Sequence, residues 1–213
     1  MRNYKKKFYV ETSIGIILRA NLLDFMTITY LSSYQADIKS ENDKENEEKY
    51  NQQFNSLIAD HIHNTFKYLK LAKDNNLIKD AEYRKAVENI FYTYKFLFKE
   101  NVIDYESPHK KLISTEFKSP KDYFTRINNH SLTRKFAKVY DLYTYYSKYE
   151  HFGIMTHFLQ RQGFDNDFET MIASIKYVIR GIGATFVYLS HPNDKLQNEK
   201  DKMIKLQDEF DKL

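Results

Sequence analysis

The 213-residue chain has no cysteine, only three prolines and only five glycines. Without cysteine it forms no disulfide, no thiolate metal site and no cysteine nucleophile, and it fits a reducing compartment. The scarcity of proline and glycine argues against an all-β fold, which needs many turns. Apolar residues make up 42% and aromatic residues 16% of the chain, so a packed core is expected and disorder is not.

Apolar residues recur at helical spacing along most of the chain, which predicts a single all-α domain over residues 1–213. The pattern indicates a helical bundle of about six or seven helices. Long helices are expected over residues 4–37, 50–73, 80–99, 132–150 and 167–190, with a short one from residue 120 and a final one after residue 193. The first helix is apolar nearly all round, which is typical of a buried central helix.

Two segments interrupt this pattern. Residues 39–49 are charged and lack apolar side chains, which predicts a solvated connection. Residues 101–130 form an irregular region that contains two of the three prolines. Asp80, Ser119 and Ser131 are expected to begin helices, because Asp and Ser side chains cap helix N-termini well.

Apart from Lys5-Lys6-Lys7 near the start, basic residues are not clustered in this sequence. The net charge is +4, and lysine and glutamate alternate along most of the chain, which predicts a solvated surface rather than a dedicated nucleic-acid surface. The basic start is followed by an apolar run, but Glu11 and Arg19 interrupt it well short of the roughly 18 residues of a membrane span. We therefore expect a soluble, cytoplasmic protein with no membrane partner.

The sequence predicts no metal site and no cofactor. His61 and His63 are two residues apart, so on a helix they point about 160° away from each other. Gly181 and Gly183 lie inside an apolar helix without the preceding strand of a dinucleotide-binding loop. Their small size instead predicts a close crossing with another helix.

The most informative stretch is Tyr143–His151, in which Tyr143, Ser147 and His151 follow one another at intervals of four. On a helix this spacing stacks a phenol, a hydroxyl and an imidazole on one face, with Tyr140 one turn earlier. The imidazole changes charge near neutral pH, so the row can form a polar site. The alternative is a core-facing row whose polar groups satisfy one another and the backbone.

Arg19 and Asp24 are charged residues in the middle of the otherwise apolar first helix. They are about 140° apart around the helix, so each is expected to have a partner other than the opposite charge. One hypothesis has Arg19 facing His151 across the bundle and binding a phosphate or carboxylate. The alternative is that each charge forms a structural ion pair, or that Arg19 extends to the surface.

The row on the late helix and the two charges of the first helix together resemble the motifs of a known group of families. Tyr143-x-x-x-Ser147-x-x-x-His151 late in the chain, with an early helix carrying Arg19 and then Asp24, resembles uncharacterised bacterial HEPN-like families. The resemblance covers about the first 35 residues and residues 140–192. It implies a helical bundle, a homodimer, and a role in RNA cleavage or phage defence.

HEPN ribonucleases place an Arg and a His on one helix, with four to six residues between them. The nearest match in this chain is Arg126-Ile-Asn-Asn-His130, which leaves only three residues between. The sequence therefore favours a HEPN-like binding or interaction module with a polar pocket, with RNA and a second copy as candidate partners. The alternative function is a metal-independent ribonuclease that uses His151 and an Arg, and a third is an interaction protein that dimerises through aromatic surfaces.

Overall fold

The structure is a computed structural model that describes residues 2–40, 42–113, 118–147 and 164–189, together with 201–202, 204–206, 208–209 and 212. Six α-helices have complete bounds within these residues: α1 Arg2–Gln35, α2 Lys44–Asp74, α3 Asp80–Thr93, α4 Pro120–Asn129, α5 Val139–Ser147 and α6 Phe164–Leu189. Short 3₁₀ segments cover Lys95–Leu97, Pro108–Lys111 and Arg134–Phe136. Across this described part of the chain, β structure is limited to one bridge between Phe98 and Leu112. The prediction of an all-α protein with about six or seven helices is confirmed.

The chain's contacts divide it into two compact units. Unit 1 consists of residues 1–36 and 119–213, and unit 2 consists of residues 37–118. In chain order, unit 2 is therefore an insertion between α1 and α4. The sequence had suggested one domain over residues 1–213, and its apolar periodicity carried no sign of this division.

Helix α1 is the centre of unit 1, where it packs against α4, α5 and α6. The buried residues of this unit include Leu18, Leu22, Phe25, Met26, Tyr30, Ile127, Val139, Leu142, Tyr146 and Ile179. Near the start of α1, however, Ile14, Ile16 and Ile17 are exposed, the last at 59%. In the C-terminal half of α1 the buried residues recur at intervals of three and four, so they lie on one face, and Asp24 is exposed. The expectation that α1 is buried all round is therefore wrong.

Buried polar residues in unit 1 bond back to their own helices. The Thr29 and Ser33 hydroxyls donate to the carbonyls of Phe25 and Tyr30, and Ser174 donates to that of Thr170. These bonds satisfy hydroxyl groups that would otherwise be costly to bury.

The close helix crossing predicted at the small residues of α6 is present at Gly181. A Cβ at this position would lie 3.1 Å from Cδ2 of Phe25 in α1, whereas a Cβ at Gly183 would meet nothing within 4 Å. Of these two glycines, it is therefore Gly181 that allows α1 to approach α6 closely.

Unit 2 is built on α2 and α3, with the Pro108–Lys111 segment packed against α2. Its core consists of Ala59, Ile62, Phe66, Tyr83, Val87, Leu97 and Leu112. The buried Tyr83 hydroxyl donates to the carbonyl of Tyr105 at 2.8 Å, which ties the loop after α3 to that helix.

Several predicted helix boundaries are corrected by the structure. Helix α2 begins at Lys44, so the second half of the expected 39–49 connection is helical. Glu45 and Glu47 lie in its first turn, where negative charge is favourable, and the Lys49 ammonium bonds the Glu45 carboxylate at 2.6 Å. Asp80 is not the cap of α3: it is the first residue of the helix and Lys79 is the N-cap, while the Asp80 carboxylate pairs with Lys73 and Arg84.

The irregular region of residues 101–130 contains a regular helix, α4. Ser119 caps it as expected: its hydroxyl accepts from the Asp122 N–H at 3.3 Å, and Pro120 is the first helical residue. The helix expected from residue 132 begins instead at Val139, after the Arg134–Phe136 turn. The Thr133 hydroxyl donates to the carbonyl of Ile127 at 3.0 Å, so a local side-chain bond competes with earlier helix formation.

Candidate functional site

The Arg19 side chain extends from α1 to two hydroxyl groups of α5. Its Nη2 donates to the Tyr143 hydroxyl at 2.7 Å, and its Nε donates to Ser147 Oγ at a longer 3.4 Å. The guanidinium carbon lies 4.6 Å from the centroid of the Tyr143 ring, within the range of a cation–π contact. The structure therefore brings together three of the six residues singled out from the sequence.

The four-residue interval on α5 explains why Tyr143 and Ser147 meet the same guanidinium. Residues i and i+4 lie one above the other on a helix, so both hydroxyls face α1. The Ser147 hydroxyl donates to the carbonyl of Tyr143 at 3.1 Å, which leaves its lone pairs directed toward Arg19. Tyr143 is buried, while Arg19 and Ser147 are half-buried.

Tyr140 extends this group by ring stacking. Its ring stacks on Phe124 of α4 with centroids 4.7 Å apart, and lies 6.4 Å from the Tyr143 ring at a similar tilt. The aromatic rings thus form a short stack that fixes the position of Tyr143. Arg19, Tyr143 and Ser147 are called the arginine–hydroxyl cluster below, and Tyr140 is its aromatic support.

Asp24 lies outside this cluster. It is exposed and sits about 140° around α1 from Arg19, so the expectation that the two charges do not pair agrees with their positions. Partial burial of the carboxyl group raises the pKa of Asp24 above its ordinary value. Asp24 therefore does not lie beside the Tyr143 and Ser147 hydroxyls of α5.

His151 lies outside the described residues, which stop at Ser147 before resuming at residue 164. The hypothesis that Arg19 faces His151 across the bundle therefore stays a prediction. The described part of the site contains a guanidinium and two hydroxyls.

Arg126 and His130, the nearest match to a HEPN ribonuclease pair, lie at the C-terminal end of α4 rather than in irregular chain. Arg126 Nε donates to Ser33 Oγ at 2.8 Å and its Nη2 donates to the Ser33 carbonyl at 3.0 Å. The guanidinium carbon also lies 4.2 Å from the Tyr34 ring centroid. Arg126 thus satisfies a carbonyl at the end of α1, which is a structural role that the sequence did not indicate.

Among the residues that the structure describes, no group of three or more His, Asp or Glu side chains is arranged to hold a metal ion. One described stretch, Ser13–Gln35 of α1, is long and apolar enough to cross a membrane by length and composition. This is weak support for a membrane span, because core helices of soluble proteins and N-terminal signal sequences meet the same criterion. The cytoplasmic location stays a prediction.

Comparison with protein-family models, with curated proteins and with solved structures finds no match to this chain. Function is therefore inferred from the chemistry of the arginine–hydroxyl cluster.

Proposed function

We propose that this chain is a HEPN-like helical binding module whose arginine–hydroxyl cluster binds an oxyanion, either a phosphate or a carboxylate. The observation that supports this most directly is the 2.7 Å bond from Arg19 to the Tyr143 hydroxyl, with Ser147 Oγ in a longer contact at 3.4 Å. Both hydroxyls are neutral, and they position the guanidinium.

Arginine suits such a site because its planar guanidinium carries several N–H donors in a fixed fork that matches phosphate and carboxylate geometry. Ordering a long side chain in advance reduces the entropy lost when a ligand binds. The stacked rings of Phe124, Tyr140 and Tyr143 supply that order here. Partial burial of Arg19 also lowers the effective dielectric constant around it, which strengthens its attraction for an anion.

The resemblance to HEPN-like families rests on the same two helices that build this cluster. Arg19 belongs to the early helix of the resemblance, and Tyr143 and Ser147 belong to its late motif. Through their contact across unit 1, the two motifs contribute to one cluster. RNA is accordingly a candidate source of the phosphate, and phage defence a candidate setting.

Thermal unfolding of the full chain with increasing inorganic phosphate tests the proposal. At ten times the dissociation constant, a ligand stabilises the folded state by about 1.4 kcal/mol, which raises the Tm by about 3–5 °C for a chain of this size. We expect this shift in the wild type, a markedly smaller shift in Arg19→Gln, and an intermediate shift in Arg19→Lys, which keeps the charge without the fork.

Arg134→Gln is the matched control, because Arg134 is an exposed arginine of the same unit and its removal changes the net charge equally. Equal phosphate shifts in Arg19→Gln and Arg134→Gln would show that phosphate acts through general charge, and the proposal would be wrong. Incubation with RNA in the presence of a chelator is a second readout. Cleavage that disappears in His151→Ala would replace the binding proposal with the ribonuclease predicted from the sequence.

A further inference from the structure

A second polar group lies in unit 2, where α2 meets the 3₁₀ segment Pro108–Lys111. The rings of His63 and His109 contact each other edge to face, with centroids 5.1 Å apart and planes at 88°. The two residues are 46 positions apart in the chain, and both are half-buried. No periodic pattern in the sequence links them, so this contact is a product of the fold.

Three lysines surround the two histidines. His63, Lys67 and Lys70 follow one another on α2 at intervals of four and three, which places them on one face of the helix. Lys110 is next to His109 in the 3₁₀ segment, and all three lysines are exposed. His63, Lys67, Lys70, His109 and Lys110 are called the histidine–lysine cluster below.

The charges of this cluster act on His109. Burial, and then the neighbouring His63, Lys110, Lys67 and Lys70, lower the pKa of His109 below its ordinary value. The three lysine ammonium groups and the neighbouring His63 all disfavour a proton on His109. An anion seated among them would oppose this effect.

Two carboxylates lie in the loop before the 3₁₀ segment, and both have other partners. Asp104 accepts from the backbone N–H groups of Glu106 and Ser107, each at 3.0 Å, and Lys111 and Lys110 lower its pKa further. The pKa of Lys73 is raised by its hydrogen bond to Asp80 and, to a smaller extent, by the charge of Glu106. Lys70 itself donates to the Glu106 backbone carbonyl at 3.3 Å, a neutral acceptor that positions the ammonium.

We propose that the histidine–lysine cluster binds a phosphate group, supplied either by free polyphosphate or by the phosphodiester backbone of a nucleic acid. Lysine ammonium groups act as point charges toward phosphate, and imidazole N–H groups donate hydrogen bonds to its oxygens. The site does not depend on the arginine–hydroxyl cluster, because all five residues belong to unit 2.

Phosphate binding at this site takes up a proton on His109. The bound anion favours the charged imidazole, so the affinity increases as the pH falls from 8 to 6. A phosphodiester keeps a single negative charge throughout this range. A change in the affinity for a phosphodiester between pH 8 and pH 6 therefore reports a change in the protonation of the protein.

The experiment measures binding of two probes to the full chain carrying Arg19→Gln, so that the arginine–hydroxyl cluster does not contribute. The probes are tripolyphosphate, followed by isothermal titration, and a labelled 12-nucleotide single-stranded RNA, followed by fluorescence anisotropy. We expect the double variant Lys67→Gln/Lys70→Gln to weaken binding at least tenfold at low salt. For the RNA, the slope of log affinity against log salt should fall by about 1.4, since each phosphate contact on a single strand contributes about 0.7.

Lys85→Gln/Lys95→Gln is the control, because it removes the same charge from two exposed lysines of unit 2 outside the cluster. We expect it to change the affinity less than threefold. His109→Gln, checked for folding by circular dichroism, should flatten the dependence of RNA affinity on pH between 6 and 8.

Binding of tripolyphosphate alone would identify free polyphosphate as the ligand, and binding of RNA would identify the nucleic-acid backbone. Both results support the proposal if the cluster variants weaken them. The absence of binding by either probe, or an equal loss in the control double variant, would overturn it.

Discussion

Gly181 of α6 lies so close to Phe25 of α1 that a Cβ on the glycine would stand 3.1 Å from Cδ2 of the phenylalanine ring. The Phe25 ring has little room to yield, because it is buried between Phe136 and Tyr177, with ring centroids at 5.6 and 5.3 Å. A side chain at Gly181 would therefore push apart the two helices that form the centre of unit 1.

Overpacking of a core costs about 1–3 kcal/mol, and the better helix propensity of alanine offsets about 1 kcal/mol of it. We therefore expect Gly181→Ala to lower the free energy of unfolding by up to about 2 kcal/mol. Gly183→Ala is the matched control: nothing lies within 4 Å of its Cβ position, and alanine is favoured over glycine inside a helix by about 1 kcal/mol. It should leave the stability unchanged or raise it. Urea denaturation of the two variants measures the difference, and equal effects would contradict a tight crossing at Gly181.

The Tyr143 hydroxyl should contribute more to stability than that of Ser147. Tyr143→Phe removes a 2.7 Å acceptor from a charged donor, and bonds of this kind contribute about 1.5–3 kcal/mol. Ser147→Ala removes a 3.4 Å contact, beyond the usual hydrogen-bond distance, so its cost should stay below about 1 kcal/mol.

Chemical denaturation of both variants checks this order. Tyr68→Phe serves as a control for loss of a phenol hydroxyl, because Tyr68 is 68% exposed on unit 2, and should change stability by less than about 0.5 kcal/mol. If Ser147→Ala cost as much as Tyr143→Phe, the longer contact would be the principal one and the geometry described here would be incorrect.

The sequence predicted part of this cluster because helical spacing is a local property. The interval between Tyr143 and Ser147 places both hydroxyls on one face of any helix, and a lone Arg19 in an apolar helix requires a polar partner. Which helix supplies that partner depends on how α1 and α5 pack, and packing registers are not encoded in local spacing. The contact between Arg19 and Tyr143 joins residues 124 positions apart.

Local competition explains the missed helix boundaries. The charged residues after position 43 looked like a solvated connection, yet Glu45, Glu47 and Lys49 stabilise a helix start through the dipole and an ion pair. In contrast, the Thr133 hydroxyl bonds a backbone carbonyl outside α5 and delays that helix to Val139. Both effects act through polar groups and leave the spacing of apolar residues unchanged. Apolar periodicity therefore could not predict these two boundaries.

The stability of unit 2 should depend on pH through His109. Its pKa in the folded protein is below the ordinary value of 6.5, so the folded state binds fewer protons than the unfolded state in this range. The resulting stabilisation is complete above pH 6.5 and is lost as the pH falls through the folded pKa. We expect the Tm of the wild type to fall more between pH 7.5 and pH 5 than that of His109→Gln.

His61→Gln is the control for this pH series, since His61 is an exposed histidine of α2 in the same unit. Thermal melts of the three proteins in the absence of phosphate separate this effect from ligand binding. A pH dependence of His109→Gln identical to that of the wild type would show that His109 does not titrate differently in the folded and unfolded states.

Arg126 should be a structural residue of unit 1 and not part of a catalytic pair. Two of its N–H groups bond the hydroxyl and the carbonyl of Ser33 near the end of α1, and its guanidinium lies over Tyr34. A cation at a helix C-terminus is favourable, and the two bonds together with the ring contact should contribute about 2–4 kcal/mol. Arg126→Gln should therefore lower the free energy of unfolding by about that amount.

The conservative variant separates this role from simple charge. Arg126→Lys keeps the charge but cannot reach both Ser33 oxygens with a planar fork, so we expect it to recover less than half of the lost stability. Arg134→Gln removes an exposed arginine of the same unit and should change stability by less than about 0.5 kcal/mol. Full recovery by lysine would mean that Arg126 stabilises α1 through its charge alone. A negligible effect of Arg126→Gln on stability would contradict this structural role.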